Sequence, residues 1–172
     1  MTVKPDIRTQ SIEDLRTSFV QAGMPVYRAK QVFDWMWKLG ARSFDEMSNV
    51  PLSMRNELAQ KFSFNGIQVD VRQSSADGTS KTRYKLHDNH KIETVLIPVP
   101  DDKRFTACVS SQVGCSLTCS FCATGQMGRL RNLTAAEIYD QAYDMNRLCV
   151  STYQHPLTNI VYMGMGEPLL NY

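Results

Sequence analysis

The sequence predicts an α/β protein: a small helical unit, then a short antiparallel meander, then the start of a parallel strand–helix–strand architecture. Three observations carry this. Apolar residues recur at helical spacing through residues 1–64, strict alternation follows over residues 67–98, and strand, loop, helix and strand patterns succeed one another from Arg104.

In the first unit, Ser11 is an N-cap candidate ahead of Glu13 and Asp14, a combination that starts a helix over 11–22, ended by Gly23 and Pro25. A second helix is expected from Tyr27 to Leu39, with Val32, Phe33, Met36 and Leu39 at helical spacing and Gly40 as its stop. Pro51 suits the first turn of a third, which carries Leu52, Leu58 and Phe62. Alternation then marks strands at Ile67–Val71, Lys81–Leu86 and Lys91–Ile97, separated by turn signals at Asp77-Gly78 and Asp88-Asn89. Pro98 and Pro100 punctuate the chain and predict a linker. The expected domains are therefore a helical unit at 1–64, a meander with its linker at 65–100, and a strand–helix–strand portion at 101–172.

In that last portion Phe105–Ser110 reads as a strand. Thr134-Ala135-Ala136-Glu137 is a capping box opening a helix with Ile138, Ala142, Met145 and Cys149 on one face. Asn159–Met163 is nearly all apolar, as a strand buried on both faces would be. One such unit cannot cover its own sheet, so the chain is expected to be the first part of a larger α/β domain.

Of the 172 residues, 42% are hydrophobic and 21% charged, a globular composition. No stretch approaches the roughly 18 apolar residues of a membrane span, and the N-terminus lacks the apolar core of a signal peptide. A cytoplasmic address follows as the expectation, and there five cysteines point to metal binding or catalysis before a disulfide framework. Net charge is +2, with 14 Lys/Arg against 11 Asp/Glu in residues 1–100 and 5 against 6 thereafter. That tilt toward the N-terminal part is too mild to announce nucleic acid alone.

The chemistry concentrates in Cys115, Cys119 and Cys122, spaced C-x3-C-x2-C. Three thiolates from one loop can hold three irons of a cubane cluster and leave the fourth open to a small molecule. A zinc site completed by Cys108 or a histidine, and unrelated buried thiols, are the competing readings; the spacing is not that of paired zinc knuckles. Cys149 falls on the apolar helix face as a core residue, and His87, His90 and His155 lie at turns. The cysteine loop follows one expected strand and Gly164-Met165-Gly166-Glu167-Pro168 follows the other, so both should share the carboxyl rim of the sheet. There glycines admit close approach of a ligand to the backbone, and Glu167 offers a carboxylate to an ammonium group.

These residues resemble a known family. The C-x3-C-x2-C loop with Phe121 before its last cysteine is similar to the radical S-adenosylmethionine signature, and Gly164-Met165-Gly166-Glu167 to that superfamily's glycine–glutamate motif. Ile92-Glu93-Thr94-Val95, Cys108-Val109-Ser110-Ser111-Gln112-Val113-Gly114-Cys115, Arg131-Asn132-Leu133, Met163–Asn171 and Gly23–Val32 resemble the RlmN/Cfr RNA methyltransferases. The resemblance spans nearly the whole chain. It implies the start of a partial (β/α) barrel, with Cys115, Cys119 and Cys122 on a 4Fe-4S cluster whose open iron chelates S-adenosylmethionine. Gly166 and Glu167 would contact that cofactor, with Phe121 near it or in the core.

By the same resemblance Glu93 matches a proton-accepting glutamate, and Cys108 a cysteine in a transient disulfide with a distant partner. The helical unit would help grip RNA. The implied activity is methylation of carbon 2 of adenine in 23S rRNA and in tRNA by a monomer served by an electron donor. A cysteine outside this chain would carry the methyl group, so the chain alone should be an inactive fragment. The alternatives are carbon-8 methylation of the Cfr type, or a non-enzymatic zinc-binding RNA module.

Overall fold

A computed structural model describes residues 4–172, which form two compact units, one ending at Asn65 and the other running from Gly66 to Tyr172. Among the described residues no helix is long and apolar enough to cross a membrane.

The first unit holds three helices, α1 (Ile12–Gln21), α2 (Tyr27–Trp37) and α3 (Leu52–Lys61). The Ser11 hydroxyl accepts from the Asp14 amide while Asp14 returns a bond to the Ser11 amide, a reciprocal cap that satisfies two donors the first turn would otherwise leave open. Leu15, Phe19, Val32, Met36, Met47 and Leu58 form the core. Helix α2 stops two residues before the expected Leu39. Gly40 takes φ +69°, the left-handed conformation open to glycine, and lets the Ala41 amide reach back to the Trp35 carbonyl at 2.9 Å. Leu39 is thereby turned outward and is 55% exposed. The buried Asp6–Arg8 pair closes the unit, since Asp6 also accepts from the Asn65 amide at 3.1 Å.

The second unit is built on a five-stranded sheet in the order β1 (Gln68–Ser74), β2 (Ser80–Lys85), β3 (Lys91–Val99), β4 (Arg104–Cys108) and β7 (Asn159–Val161). The first four are antiparallel neighbours, and β7 runs parallel to β4. Helix α4 (Ala135–Tyr153) makes the crossover and packs on one face. Its Met145 and Cys149 meet Tyr84, Ile92, Leu96, Phe105 and Ala107 in the core, and the predicted Thr134–Glu137 capping box opens it.

Two expectations change here. Pro98 and Pro100 are not a linker: Pro98 lies in β3 opposite Phe105, and Pro100 opens the tight turn Pro100–Asp102 into β4. Proline is tolerated at this strand position because the Phe105 amide and carbonyl both turn away, to Thr158, and ask nothing of position 98. The meander and the strand–helix–strand portion therefore share one sheet. β7 is not buried on both faces in this chain: Ile160 is 51% exposed, and among the described residues β4 is the one strand paired with β7.

Two short strands absent from the sequence reading, β5 (Gln112–Val113) and β6 (Arg131–Asn132), pair antiparallel. With Leu130 N–H to Val113 O at 2.9 Å and Leu133 N–H to Ser111 O at 3.0 Å, they form a clasp at the base of the cysteine loop.

Candidate cofactor site

Between the two strands of the clasp, residues 114–130 fold back on themselves. Gly114 sits at φ +75°, where a Cβ would stand 1.8 Å from the Gly128 carbonyl oxygen, so the loop can close there only around a glycine. Gly125 is also confined, though less tightly, with a Cβ position 2.8 Å from Leu117 O. Cys115 is buried, its Sγ accepting from the Leu117 amide at 3.4 Å; Cys122 is half-buried and Cys119 exposed. The Cys122 thiol is held below its ordinary range, chiefly by the Gly125 amide against a smaller opposing effect of burial, with Thr124 adding further bonds. Among the described residues no three His, Cys, Asp or Glu side chains come together as a metal-holding set. The loop therefore fits an iron–sulfur group in its donors, three soft thiols on one tethered loop, without holding them in a finished ligating arrangement. Phe121 is 91% exposed and so lies outside the core of this chain.

The second motif is locked to the strand that enters the loop. Gly164 N–H donates to Val109 O at 3.1 Å, Met165 N–H to Ser110 Oγ at 2.9 Å, and Glu167 N–H to Gln112 Oε1 at 3.0 Å. The Ser111 and Gln112 amides both donate to Met165 O. A Cβ on Gly164 would stand 2.8 Å from Ser110 N, and one on Gly166, at φ +98°, 2.5 Å from Gln112 Cβ. These glycines are thus already required by the protein's own neighbouring chain, at Ser110 and Gln112, before any ligand approaches. Glu167 caps the turn Pro168–Asn171 by accepting from the Leu169 amide at 3.0 Å. Asn171 donates to Ser111 O and Leu133 O, and Asn132 to Leu170 O, so the turn and both strands of the clasp form one bonded assembly.

Glu93 and Cys108 share the sheet face opposite α4. Val95 is the register partner of Cys108, and Glu93 lies two residues along β3 on the same side. The Glu93 carboxylate is 3.4 Å from Lys81 Nζ, and its main-chain carbonyl accepts from Ser110 Oγ at 2.6 Å. Burial pushes the Cys108 thiol up, partly offset by the Met163 amide. The structure holds no disulfide: all five cysteines are free, the partner expected for Cys108 lies outside this chain, and Cys149 is fully buried in the core beneath the sheet. His155 stacks on Phe105 at 4.9 Å, and His87 lies 3.6 Å from the buried Glu137.

Sequence reasoning missed the polar residues that hold this assembly. Gln141, fully buried on α4, accepts from Thr94 Oγ1 and the Ser110 amide and donates to Ser110 O. Arg131 ties the Asp88 turn to Glu137 at the start of α4, at 2.6 and 2.8 Å. For Gln141 the signal in the sequence is a polar side chain on the helix face that otherwise reads as core; Arg131 stands in a segment noted only for its resemblance.

Residues 6–63 match the family described as the ribosomal RNA large subunit methyltransferase N-terminal domain. The chain is 53% identical over 169 residues to a protein of Cytophaga hutchinsonii named probable dual-specificity RNA methyltransferase RlmN, covering 98% of this chain and 46% of that one. A Salinibacter ruber protein of the same name is 43% identical over 171 residues, with coverages of 97% and 46%. This chain is similar to the RlmN proteins over nearly its whole length. It spans about half the length of the RlmN relatives it matches. A crystal structure of a radical SAM methyltransferase from Sphaerobacter thermophilus is 40% identical, with a TM-score of 0.84 over 98% of this chain and 49% of that one.

Proposed function

We propose that this chain is the cofactor-binding part of a radical S-adenosylmethionine methyltransferase that modifies carbon 2 of adenine in 23S rRNA and in tRNA. The observation that carries the reading is the assembly joining the cysteine loop to the Gly166-Glu167 turn, two motifs some 40 residues apart in the sequence bonded to one clasp. The names of the relatives, which specify dual-specificity RNA methylation, support the substrate class.

Cys115, Cys119 and Cys122 would hold the 4Fe-4S cluster, with the Gly125 amide already favouring a thiolate at Cys122. Glu167, fixed through its amide, would receive the cofactor's ammonium beside the Gly166 backbone. Cluster and S-adenosylmethionine together would supply the one-electron chemistry needed to reach an unactivated aromatic carbon, with electrons from a separate donor. Methylating that carbon must end in loss of its hydrogen as a proton, and Glu93, on the open face with Cys108, is the carboxylate proposed to take it. Cys108, held as a thiol by burial, is proposed to pair transiently with a cysteine in the remainder of the protein, which would also carry the methyl group; Cys149 is too deeply buried for either role. The helical unit would grip RNA, and the protein would work as a cytoplasmic monomer.

Anaerobic reconstitution tests the cofactor. Brown protein with roughly four irons and four sulfides per chain supports it, whereas colourless protein containing zinc refutes it. Mass spectrometry of nucleosides from ribosomal RNA treated with protein of the relatives' full length tests the position. Methyl at carbon 8 alone would refute the carbon-2 assignment.

A further inference from the structure

We infer that Gln112 is a positioning residue that sets the Glu167 turn in register with the exit of the cysteine loop. The inference rests on the functional reading above and names a residue to which that reading gives no role. Gln112 is fully buried in β5, yet its side chain is polar and both ends are used. Oε1 accepts from the Glu167 amide at 3.0 Å, and Nε2 donates to Asn132 Oδ1 at 2.8 Å. Asn132 is its register partner across the clasp, and Asn132 Nδ2 continues the chain of bonds to Leu170 O at 3.1 Å. One amide therefore spans three segments: the strand entering the loop, the strand leaving it, and the turn that bears Glu167. The missing Cβ of Gly166 is the space that the Gln112 stem fills.

The chemistry explains why the residue is a glutamine. The Glu167 amide needs an acceptor, and the Asn132 carbonyl, which also accepts from Arg129 Nη1 at 3.1 Å, takes a second donor. In a buried site a neutral amide supplies both without burying a charge. A methionine of similar volume fills the space but orphans the Glu167 amide and leaves Asn132 Oδ1 to Arg129 Nη1, at 3.1 Å, and a glutamate keeps the acceptor but loses the donor. Gln112 touches no reacting atom in this arrangement; its effect passes through the backbone of Glu167.

The test compares the protein with its Q112M and Q112E variants. After anaerobic reconstitution, iron and sulfide are counted, and S-adenosylmethionine is titrated against the electron paramagnetic resonance spectrum of the reduced cluster. Q112M should load iron as the parent does but need about tenfold more S-adenosylmethionine to shift the spectrum, the loss of one buried bond to a fixed amide; Q112E should fall between. An unchanged titration overturns the inference, and so does a Q112M protein that loses iron in step with its response, because Gln112 would then merely build the loop. Amide hydrogen exchange on metal-free protein gives an independent arm. Q112M should speed exchange at Glu167 and at residues 130–133 together, and speeding at one alone overturns the coupling. If the parent takes up no cluster, the functional reading fails, while the exchange result still decides whether Gln112 couples the two segments.

Discussion

Replacing Gly166 with alanine separates two reasons for a glycine in the Gly164–Glu167 turn. If the residue is glycine only so that a ligand can approach, the ligand-free protein should tolerate a methyl group. The structure says otherwise, because the new Cβ would meet Gln112 Cβ at 2.5 Å and the Gln112 amide nitrogen at 2.8 Å, at φ +98°. A non-glycine residue in such a conformation costs about 1–3 kcal/mol, and overfilling a packed contact costs about 1–3 kcal/mol more. Partial relaxation leaves about 2–4 kcal/mol. The second unit, Gly66–Tyr172, has about 107 residues, for which the unfolding entropy is about 0.22 kcal/mol/K, so Tm should fall by about 9–18 °C. Gly128 supplies the control: it has φ +68° but nothing within 4 Å of its Cβ position. G128A should therefore cost about 1 kcal/mol of backbone strain alone, near 5 °C. Differential scanning calorimetry of the metal-free protein reads both. Equal shifts for the two variants would refute the packing argument, and an unshifted G166A would return the glycine to a ligand-only role.

Two further predictions follow from the charges. Removing the guanidinium in R131M leaves the buried Glu137, still capped by the Thr134 amide, without its Arg131 partner and should cost roughly 2 kcal/mol in urea denaturation. Asp88, although burial opposes it, is held below its ordinary 3.8 by Arg131. Its contribution is thus present above that value and lost as pH falls through the lower folded value, and R131M should flatten this acid limb of the stability curve. Thiol alkylation mapped by mass spectrometry on metal-free folded protein should show Cys122 reacting at lower pH than Cys108, because one thiol is lowered by amide bonds and the other raised by burial. The reverse order would remove the argument that the loop favours a thiolate at Cys122.

Local signals were legible from residues close together in the chain. The N-cap at Ser11, the capping box at Thr134, the alternation of β2 and β3, and the spacing of Cys115, Cys119 and Cys122 need only neighbours two to eight positions away. They announced helices, strands and the donor loop without knowledge of the fold. Even Pro98, an apparent break, was misread because its tolerance depends on Phe105 facing Thr158, a relation between three separate segments.

What the tertiary structure alone decided is the assembly around the loop. A two-residue strand such as β5 or β6 has no periodicity to detect, and a buried glutamine such as Gln112 or Gln141 looks like any polar residue until its partners are known. The glycines show the same division. Their motif was visible in the sequence, but whether they make room for a ligand or for Ser110 and Gln112 depends on chain brought in from more than 50 residues away. Sequence spacing determines which donors a loop offers; long-range hydrogen bonds, each satisfied only when both segments are in place, determine where that loop is held.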